Sequence, residues 1–242
     1  MTALNAIIQT VKNKKDTQVF FLQGVEDCLP TIFGYLSIGF TCGVVSKACG
    51  LSFWQTVGMS AFIYGGSSQF IAAGMILASA AVPSIILTVF LVNLRHLFMS
   101  AAMAPRFPEN SLRQNFFVGL LLTDESFGVA SARAAKEDSL NYDWMLGLNI
   151  SGYLNWILAT GMGFLFGSLI PDYTALGLDF ALVGMFIGLL AAAAKGLQSL
   201  PKSAAIIMVS VLILLGSTYF ASIHTAVMLA ALGGAASGMV VD

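Results

Sequence analysis

Charged residues are scarce in this 242-residue chain, where lysine, arginine, aspartate and glutamate together make up 10% of the sequence. Soluble globular domains carry about 25% charged residues. Hydrophobic residues make up 57%, which is more apolar surface than one compact core can hide, so the excess must face lipid. This composition excludes a separate soluble catalytic domain and a disordered scaffold. The net charge of −1 gives no reason to expect nucleic acid as a partner.

The sequence also lacks the motifs of enzymes, metal sites and secreted proteins. Its three cysteines, Cys28, Cys42 and Cys49, are odd in number and form no Cys-x-x-Cys pair, which argues against disulfides and zinc. No metalloprotease, serine hydrolase or P-loop motif is present. Residues 1–18 contain no long apolar run, so we expect no secretory signal. We predict a protein that is not an enzyme and that needs no cofactor or metal.

Long apolar segments separated by short polar linkers occupy most of the chain. At about 20 residues per crossing, the apolar residues would fill roughly seven membrane spans. We therefore predict an all-α, polytopic membrane bundle of about seven to eight segments, with a cytoplasmic N-terminal segment at 1–25 and a single transmembrane domain at 26–242. The segments cover approximately residues 29–48, 53–78, 83–104, 115–135, 144–170, 180–199, 203–220 and 223–240.

The second and fourth segments carry polar residues near their middle. The second contains the run Gly65-Gly66-Ser67-Ser68-Gln69-Phe70, and adjacent glycines favour a broken helix. The fourth contains Thr123-Asp124-Glu125-Ser126-Phe127, whose two carboxylates are costly in lipid unless they face protein or water. Each segment is predicted to consist of two half-helices that meet at a polar break.

The distribution of positive charge favours a topology in which these two segments re-enter the membrane. With simple crossings and a cytoplasmic N-terminus, Lys47, Arg106 and Arg113 would lie outside, against seven lysines and arginines inside. With two re-entrant segments, Arg106 and Arg113 move inside and only Lys47 stays outside. The positive-inside rule prefers the second arrangement.

A short internal repeat agrees with this topology. Ser68-Gln69-Phe70 resembles Glu125-Ser126-Phe127, and each motif is followed at a similar distance by an asparagine, Asn93 or Asn149. The first unit would enter the membrane from outside and the second from inside. Inverted repeats of this kind are common in secondary transporters with a binding site at the membrane midplane.

The third segment places Asn93-Leu94-Arg95-His96 inside the membrane. A buried arginine needs a partner of opposite charge, and Asp124 and Glu125 are the candidates by residue type. The pair could bind a substrate or couple to protons, or it could simply hold two helices together. His96 could relay protons together with Asp124 and Glu125, or it could be a neutral histidine with one fixed hydrogen bond.

The glycine and serine run suggests a binding site for an anion. If a half-helix starts near Ser67, its free N–H groups point into the bundle, where they attract a carboxylate. Glycines such as Gly66 let a ligand approach the backbone closely. The alternative is close packing of helices through small residues.

These motifs together resemble the AzlC-type, or LIV-E, family of branched-chain amino-acid exporters. The likeness runs from about Gly24 to the C-terminus. Its most specific part comprises Ser67-Ser68-Gln69-Phe70, Asn93-Leu94-Arg95-His96 and Thr123-Asp124-Glu125-Ser126-Phe127, with weaker support from Pro30, Gly34, Tyr35, Gly39 and Gly177-Leu178-Asp179-Phe180.

The resemblance implies an inner-membrane exporter of valine, leucine and isoleucine, with methionine a further candidate. It also implies a small second membrane subunit of the AzlD type, and by analogy proton coupling. In this hypothesis a hydrophobic amino acid places its carboxylate at Ser67, Ser68 and Arg95, its ammonium at Asp124 or Glu125, and its side chain at Phe70 and Phe127, while Gly66, Gln69 and Asn93 complete the site. The rival hypotheses are a non-transporting scaffold or sensor, in which the charges only fix helix packing, and a channel.

Overall fold

The computed structural model describes residues 3–169 and 200–220, together with a few positions at 187 and between 226 and 238. Within this part of the chain all regular structure is helical, as predicted. Two helices are long and apolar enough to cross a membrane, Thr17–Ala48 and Val82–Arg106. The α-helices are α1 (Ala3–Ala48), α2 (Phe53–Phe62), α3 (Gly66–Leu77), α4 (Val82–Met103), α5 (Leu112–Leu120), α6 (Asp124–Ala134), α7 (Tyr142–Phe166) and α8 (Leu200–Ser217).

Helix α1 begins earlier than the apolar pattern indicates. The sequence places the first apolar segment at 29–48 and a boundary near residue 25, whereas α1 runs continuously from Ala3 to Ala48. Apolarity marks only the part of a helix that faces lipid or core, and a polar extension of the same helix carries no such signal. The cytoplasmic location of residues 1–25 stays a prediction. The predicted segment 180–199, most of 223–240 and the run Gly177 to Phe180 lie outside the described residues.

Helices α1 and α7 pack side by side and run in the same direction. Near the start of α7 and the middle of α1, a Cβ on Gly24 would clash with the Trp144 carbonyl, and further along both helices a Cβ on Gly163 would clash with the Phe40 carbonyl. The residue numbers of the contacting positions thus increase in the same direction along both helices, so the helices are parallel. Small residues allow this backbone contact, which is how helices commonly pack in membranes.

This parallel pair defines two ends of the molecule. At one end, called here the Asp27 end, Trp144 Nε1 donates a hydrogen bond of 2.8 Å to Asp27. At the other, the Lys47 end, the Lys47 ammonium lies 5.2 Å from the centre of the Phe164 ring. Helix α4 runs back from the Lys47 end to the Asp27 end, where Met103 belongs to the same buried cluster as Trp144.

Helices α2 and α3 form a hairpin that enters the bundle from the Lys47 end and returns to it. Helix α2 starts there, since Phe53 packs against Phe164 with ring centres 5.7 Å apart. The break between the helices lies at mid-depth, where Tyr64 packs edge-on against Tyr153 of α7 at 4.9 Å. Ala73 of α3 then clusters with Leu51, back at the starting end. The second segment is therefore broken and re-entrant.

Helices α5 and α6 form the matching hairpin from the Asp27 end. Its break lies at mid-depth, where Thr123 and Tyr35 of α1 share a hydrogen bond of 2.5 Å. Helix α6 returns to the Asp27 end, where Arg133 lies 3.4 Å from the Asp27 carboxylate. The two hairpins thus enter from opposite ends, which confirms the predicted breaks and the inverted arrangement.

The local sequence explains where the half-helices begin. Helices α2 and α5 start with capping boxes at Ser52 and Ser111, and α6 starts with a third box in which Thr123 and Ser126 satisfy each other's backbone N–H groups. Helix α3 starts at Gly66, and its N-cap residue, Gly65, provides no side-chain cap, so the first N–H groups of the helix stay available to a ligand.

Candidate functional site

The candidate site lies where the N-termini of α3 and α6 meet α4 at mid-depth. Arg95 of α4 connects the two half-helices. One terminal nitrogen of its guanidinium lies 2.8 Å from the Asp124 carboxylate in the first turn of α6. The other donates a 3.0 Å hydrogen bond to Ser67 Oγ in the first turn of α3. The predicted pairing of Arg95 with an acid is therefore present, and Asp124 is the acid.

A cavity opens beside this ion pair. Its volume is about 330 Å³ including the opening, but in this conformation it leaves room for only about one water molecule. An amino acid can enter only if the cavity widens. Glycine, charged, hydroxyl and aromatic groups line it: Gly65, Gly66, Arg95, His96, Asp124, Glu125, Thr123, Tyr35, Tyr64 and Trp156.

Three aromatic residues form much of the cavity wall. Trp156 of α7 is 4% exposed, and its indole N–H donates a 2.8 Å hydrogen bond to Gln69. Tyr35 packs edge-on against Trp156 with ring centres 6.3 Å apart. The Tyr64 hydroxyl is buried and has no hydrogen-bond partner among the described residues, so it remains available to a bound molecule.

The break before α3 has an unusual backbone. Tyr64 adopts a φ of +44°, a left-handed conformation that is rare for a bulky residue and costs of order 1–3 kcal/mol. The next residue, Gly65, leaves no space for a side chain, since a Cβ there would lie 2.6 Å from Ser68 Oγ and 2.9 Å from Asn93 Oδ1. The break therefore fits a glycine at position 65 and no larger residue.

Six of the eleven predicted site residues meet at this point. Gly66, Arg95, Asp124, Glu125 and His96 line the cavity, and Ser67 binds Arg95.

The other predicted residues lie behind the wall. Ser68 Oγ donates to the Gly65 carbonyl at 2.8 Å, Gln69 supports Trp156, and Asn93 lies under Gly65. Phe70 and Phe127 pack against two separate buried clusters. A helix presents only part of its surface to a cavity, so a motif that continues past the first residues of the helix cannot line the cavity with every side chain.

Sequence reasoning missed five wall residues as site candidates: Tyr35, Tyr64, Gly65, Thr123 and Trp156. Three of them carried a signal, since Gly65 is the first residue of the glycine and serine run. Thr123 is the N-cap of the acidic half-helix, and Tyr64 directly precedes the glycine pair. Trp156 lies seven residues after Asn149, which is two helical turns along the same face, but nothing in the sequence joins that face to α3. Among the described residues, no group of three or more metal-ligating side chains could hold a metal ion.

Comparison with known proteins identifies the family. A family model described as AzlC protein matches residues 30–170, which is more than half of the chain and contains both hairpins and the Arg95–Asp124 pair. The chain belongs to the AzlC family. This confirms the resemblance carried by the three polar motifs.

Similar sequences come from bacteria and from an archaeon. The chain is 29% identical over 192 residues to the inner membrane protein YgaZ of Escherichia coli, covering 77% of this chain and 78% of that one. It is 33% identical over 180 residues to a membrane protein of Archaeoglobus fulgidus, covering 73% and 77%. It is 27% identical over 183 residues to the branched-chain amino acid transport protein AzlC of Bacillus subtilis, covering 74% and 70%. No solved structure shows a significant match.

Proposed function

We propose that this AzlC-family chain is a secondary transporter that exports branched-chain amino acids, namely valine, leucine and isoleucine, with methionine as a further substrate. The observation that carries the proposal is the 2.8 Å ion pair between Arg95 and Asp124 at the meeting point of two half-helices. A relative from Bacillus subtilis is named a branched-chain amino acid transport protein, which supports the substrate class.

The ion pair suits a zwitterionic substrate because it offers one partner for each of the substrate's charges. The substrate carboxylate binds Arg95 and the uncapped N–H groups at Gly66 and Ser67, while the ammonium binds Asp124 or Glu125. Both charges of an amino acid must lose water to cross a membrane, and these groups replace that water. Binding replaces the ion pair between Arg95 and Asp124 with two ion pairs to the substrate. The substrate then lies between Arg95 and Asp124, which widens the cavity between the hairpins.

The carboxylate pair provides a route to proton coupling. Asp124 is paired with Arg95, whereas Glu125 lines the same cavity beside it. Two neighbouring carboxylates in a site of low dielectric do not both stay ionised without a cost, so Glu125 is the group that we expect to carry a proton. His96 lines the same cavity and is a candidate relay.

The orientation follows from the charges at the two ends. Arg106, Arg113, Arg133 and Lys136 flank elements at the Asp27 end, and Lys47 lies at the opposite end. By the positive-inside rule, we propose that the Asp27 end, and with it the N-terminus, lies in the cytoplasm of a multi-pass inner-membrane protein. A small AzlD-type subunit is a further part of the proposal and is tested by reconstitution with and without it.

Two carboxylate substitutions test the transport mechanism in proteoliposomes loaded with labelled valine. We expect Asp124→Asn to abolish both counterflow and proton-driven efflux, because Arg95 loses its partner and the ammonium loses its site. Glu125→Gln should retain counterflow and lose acceleration by a proton gradient, because a glutamine mimics the protonated acid. Asp138→Asn, an exposed position, is the matched control. Full activity in both site variants, at normal expression, would refute the assigned roles.

The rival function is a non-transporting scaffold, and one observation favours it: Arg95 joins α3, α4 and α6. An Arg95→Gln variant separates the two functions. A transporter should lose counterflow while the purified protein remains monodisperse. A scaffold should lose its folded, monodisperse state, and its wild type should show no counterflow of any aliphatic amino acid. A channel would instead show flux that a proton gradient cannot drive.

A further inference from the structure

The indole ring of Trp156 is the most firmly held wall of the cavity. Its N–H donates to Gln69 Oε1 at 2.8 Å, and Gln69 Nε2 in turn donates to Ser60 Oγ at 2.9 Å. Gln69 and Ser60 are fully buried. The chain of hydrogen bonds joins α7, α3 and α2, so the ring belongs to the first hairpin as well as to its own helix.

Packing prevents the ring from moving aside. A Cβ on Gly66 would lie 3.1 Å from the Trp156 ring, so the start of α3 rests against the indole. The Tyr35 ring meets it edge-on from α1. A buried indole whose N–H is hydrogen-bonded and whose ring is packed against two other helices keeps one position.

Trp156 is also the largest of the side chains that line the cavity, and its one polar group is already bound to Gln69. The other wall residues are charged, carry a hydroxyl or imidazole, or are glycines. When the carboxylate and ammonium of an amino acid are bound at Arg95 and Asp124, its aliphatic side chain therefore makes its apolar contact with the indole.

We propose that Trp156 sets the upper size limit of the substrate side chain, and that Gln69 is the positioning residue that holds the indole in place. The inference rests on the proposed transport function and deepens it. The wild-type site then accepts aliphatic amino acids and excludes aromatic ones. Differences of one or a few carbon atoms in an apolar pocket typically produce discrimination of about 10- to 200-fold.

Counterflow of labelled leucine and labelled phenylalanine into proteoliposomes tests this inference. In the wild type, leucine should exceed phenylalanine by at least about tenfold. Trp156→Phe should raise the phenylalanine-to-leucine ratio severalfold, because the smaller ring vacates part of the cavity. Gln69→Met, which keeps the length of the side chain but removes the acceptor, should raise the ratio less. Trp54→Phe, at a tryptophan that is 78% exposed, is the matched control and should leave the ratio unchanged.

A double variant distinguishes positioning from a general structural role. In the Trp156→Phe background no indole N–H remains, so adding Gln69→Met should leave the ratio where Trp156→Phe alone put it. Additive effects would overturn the role of Gln69.

The outcomes for the two proposals are separate. A wild type that exchanges no aliphatic amino acid overturns the transport function itself. A wild type that exchanges leucine and phenylalanine equally well overturns the size limit alone, and this result needs no variant to fold. The size limit is also overturned if the Trp156→Phe protein is monodisperse, exchanges leucine and has the same phenylalanine-to-leucine ratio as the wild type.

Discussion

We expect Arg95→Gln and Asp124→Asn, made singly and together, to separate the stability of the protein from its activity. Removing one partner of a buried ion pair costs about 3–5 kcal/mol because it leaves the other charge unpaired. The side chains here are 25% and 20% exposed, so the lower end, about 3 kcal/mol, applies. For a domain of this size each kcal/mol shifts the melting temperature by about 2–4 °C. Each single variant should therefore melt about 6–12 °C below the wild type.

The double variant should recover most of this loss. It contains no unpaired charge, and the glutamine amide can still donate to Ser67 and to the new asparagine. The remaining loss is about one hydrogen bond between neutral groups, or about 0.5–1.5 kcal/mol. Melting in detergent, followed by size-exclusion chromatography, measures stability, and valine counterflow measures activity.

The informative result is a stable double variant without transport. It would mean that the charges serve the substrate as well as the fold. A double variant that regains both its melting temperature and its counterflow would refute the proposed substrate contacts. Single variants as stable as the wild type would refute the buried ion pair itself.

Three further predictions concern the fold. Tyr35→Phe should lower the free energy of unfolding by about 1 kcal/mol, because Thr123 loses its hydrogen-bond partner on α1 and keeps only Ser126. The melting temperature should fall by a few degrees, and no change would mean that the hydrogen bond between Tyr35 and Thr123 is not formed. Gly163→Ala should cost about 1–3 kcal/mol or prevent folding, because the new methyl group meets a carbonyl of α1. The control is Gly34→Ala, which should leave the melting temperature unchanged or slightly raised, because a Cβ at Gly34 would meet open space. Equal melting temperatures of these two alanine variants would contradict the parallel packing of α1 and α7. Arg133→Gln should lower the free energy of unfolding by no more than about 1 kcal/mol, because the ion pairs of Arg133 are partly exposed. The loss should be smaller at high salt than at low salt. A loss that does not depend on salt would instead indicate that the contact with the Trp144 ring stabilises the protein.

The polar breaks could be read from the sequence because their cause is local. Adjacent glycines weaken a helix, and the carboxylates of Asp124 and Glu125 inside an apolar segment need partners in any fold. The same reasoning predicted the re-entrant hairpins, since moving Arg106 and Arg113 to one side satisfies the charge bias of membrane proteins. The membrane class and the family motifs were equally accessible.

Side-chain partnership across the bundle could not be predicted in this way. That Arg95 pairs with Asp124, and that Gln69 faces Trp156 instead of the cavity, depends on how α3, α4, α6 and α7 are rotated about their axes. The sequence alone left Asp124 and Glu125 equivalent, because adjacent residues on a helix point about 100° apart and either could have faced Arg95.

Composition and local backbone preference thus determined a membrane protein with two interrupted helices and an intramembrane acid pair and arginine. The tertiary structure alone decided which side chains enclose the cavity. Helix packing brings Tyr64 and Trp156 together from positions that are 92 residues apart in the chain, and no local physical rule connects residues at that separation.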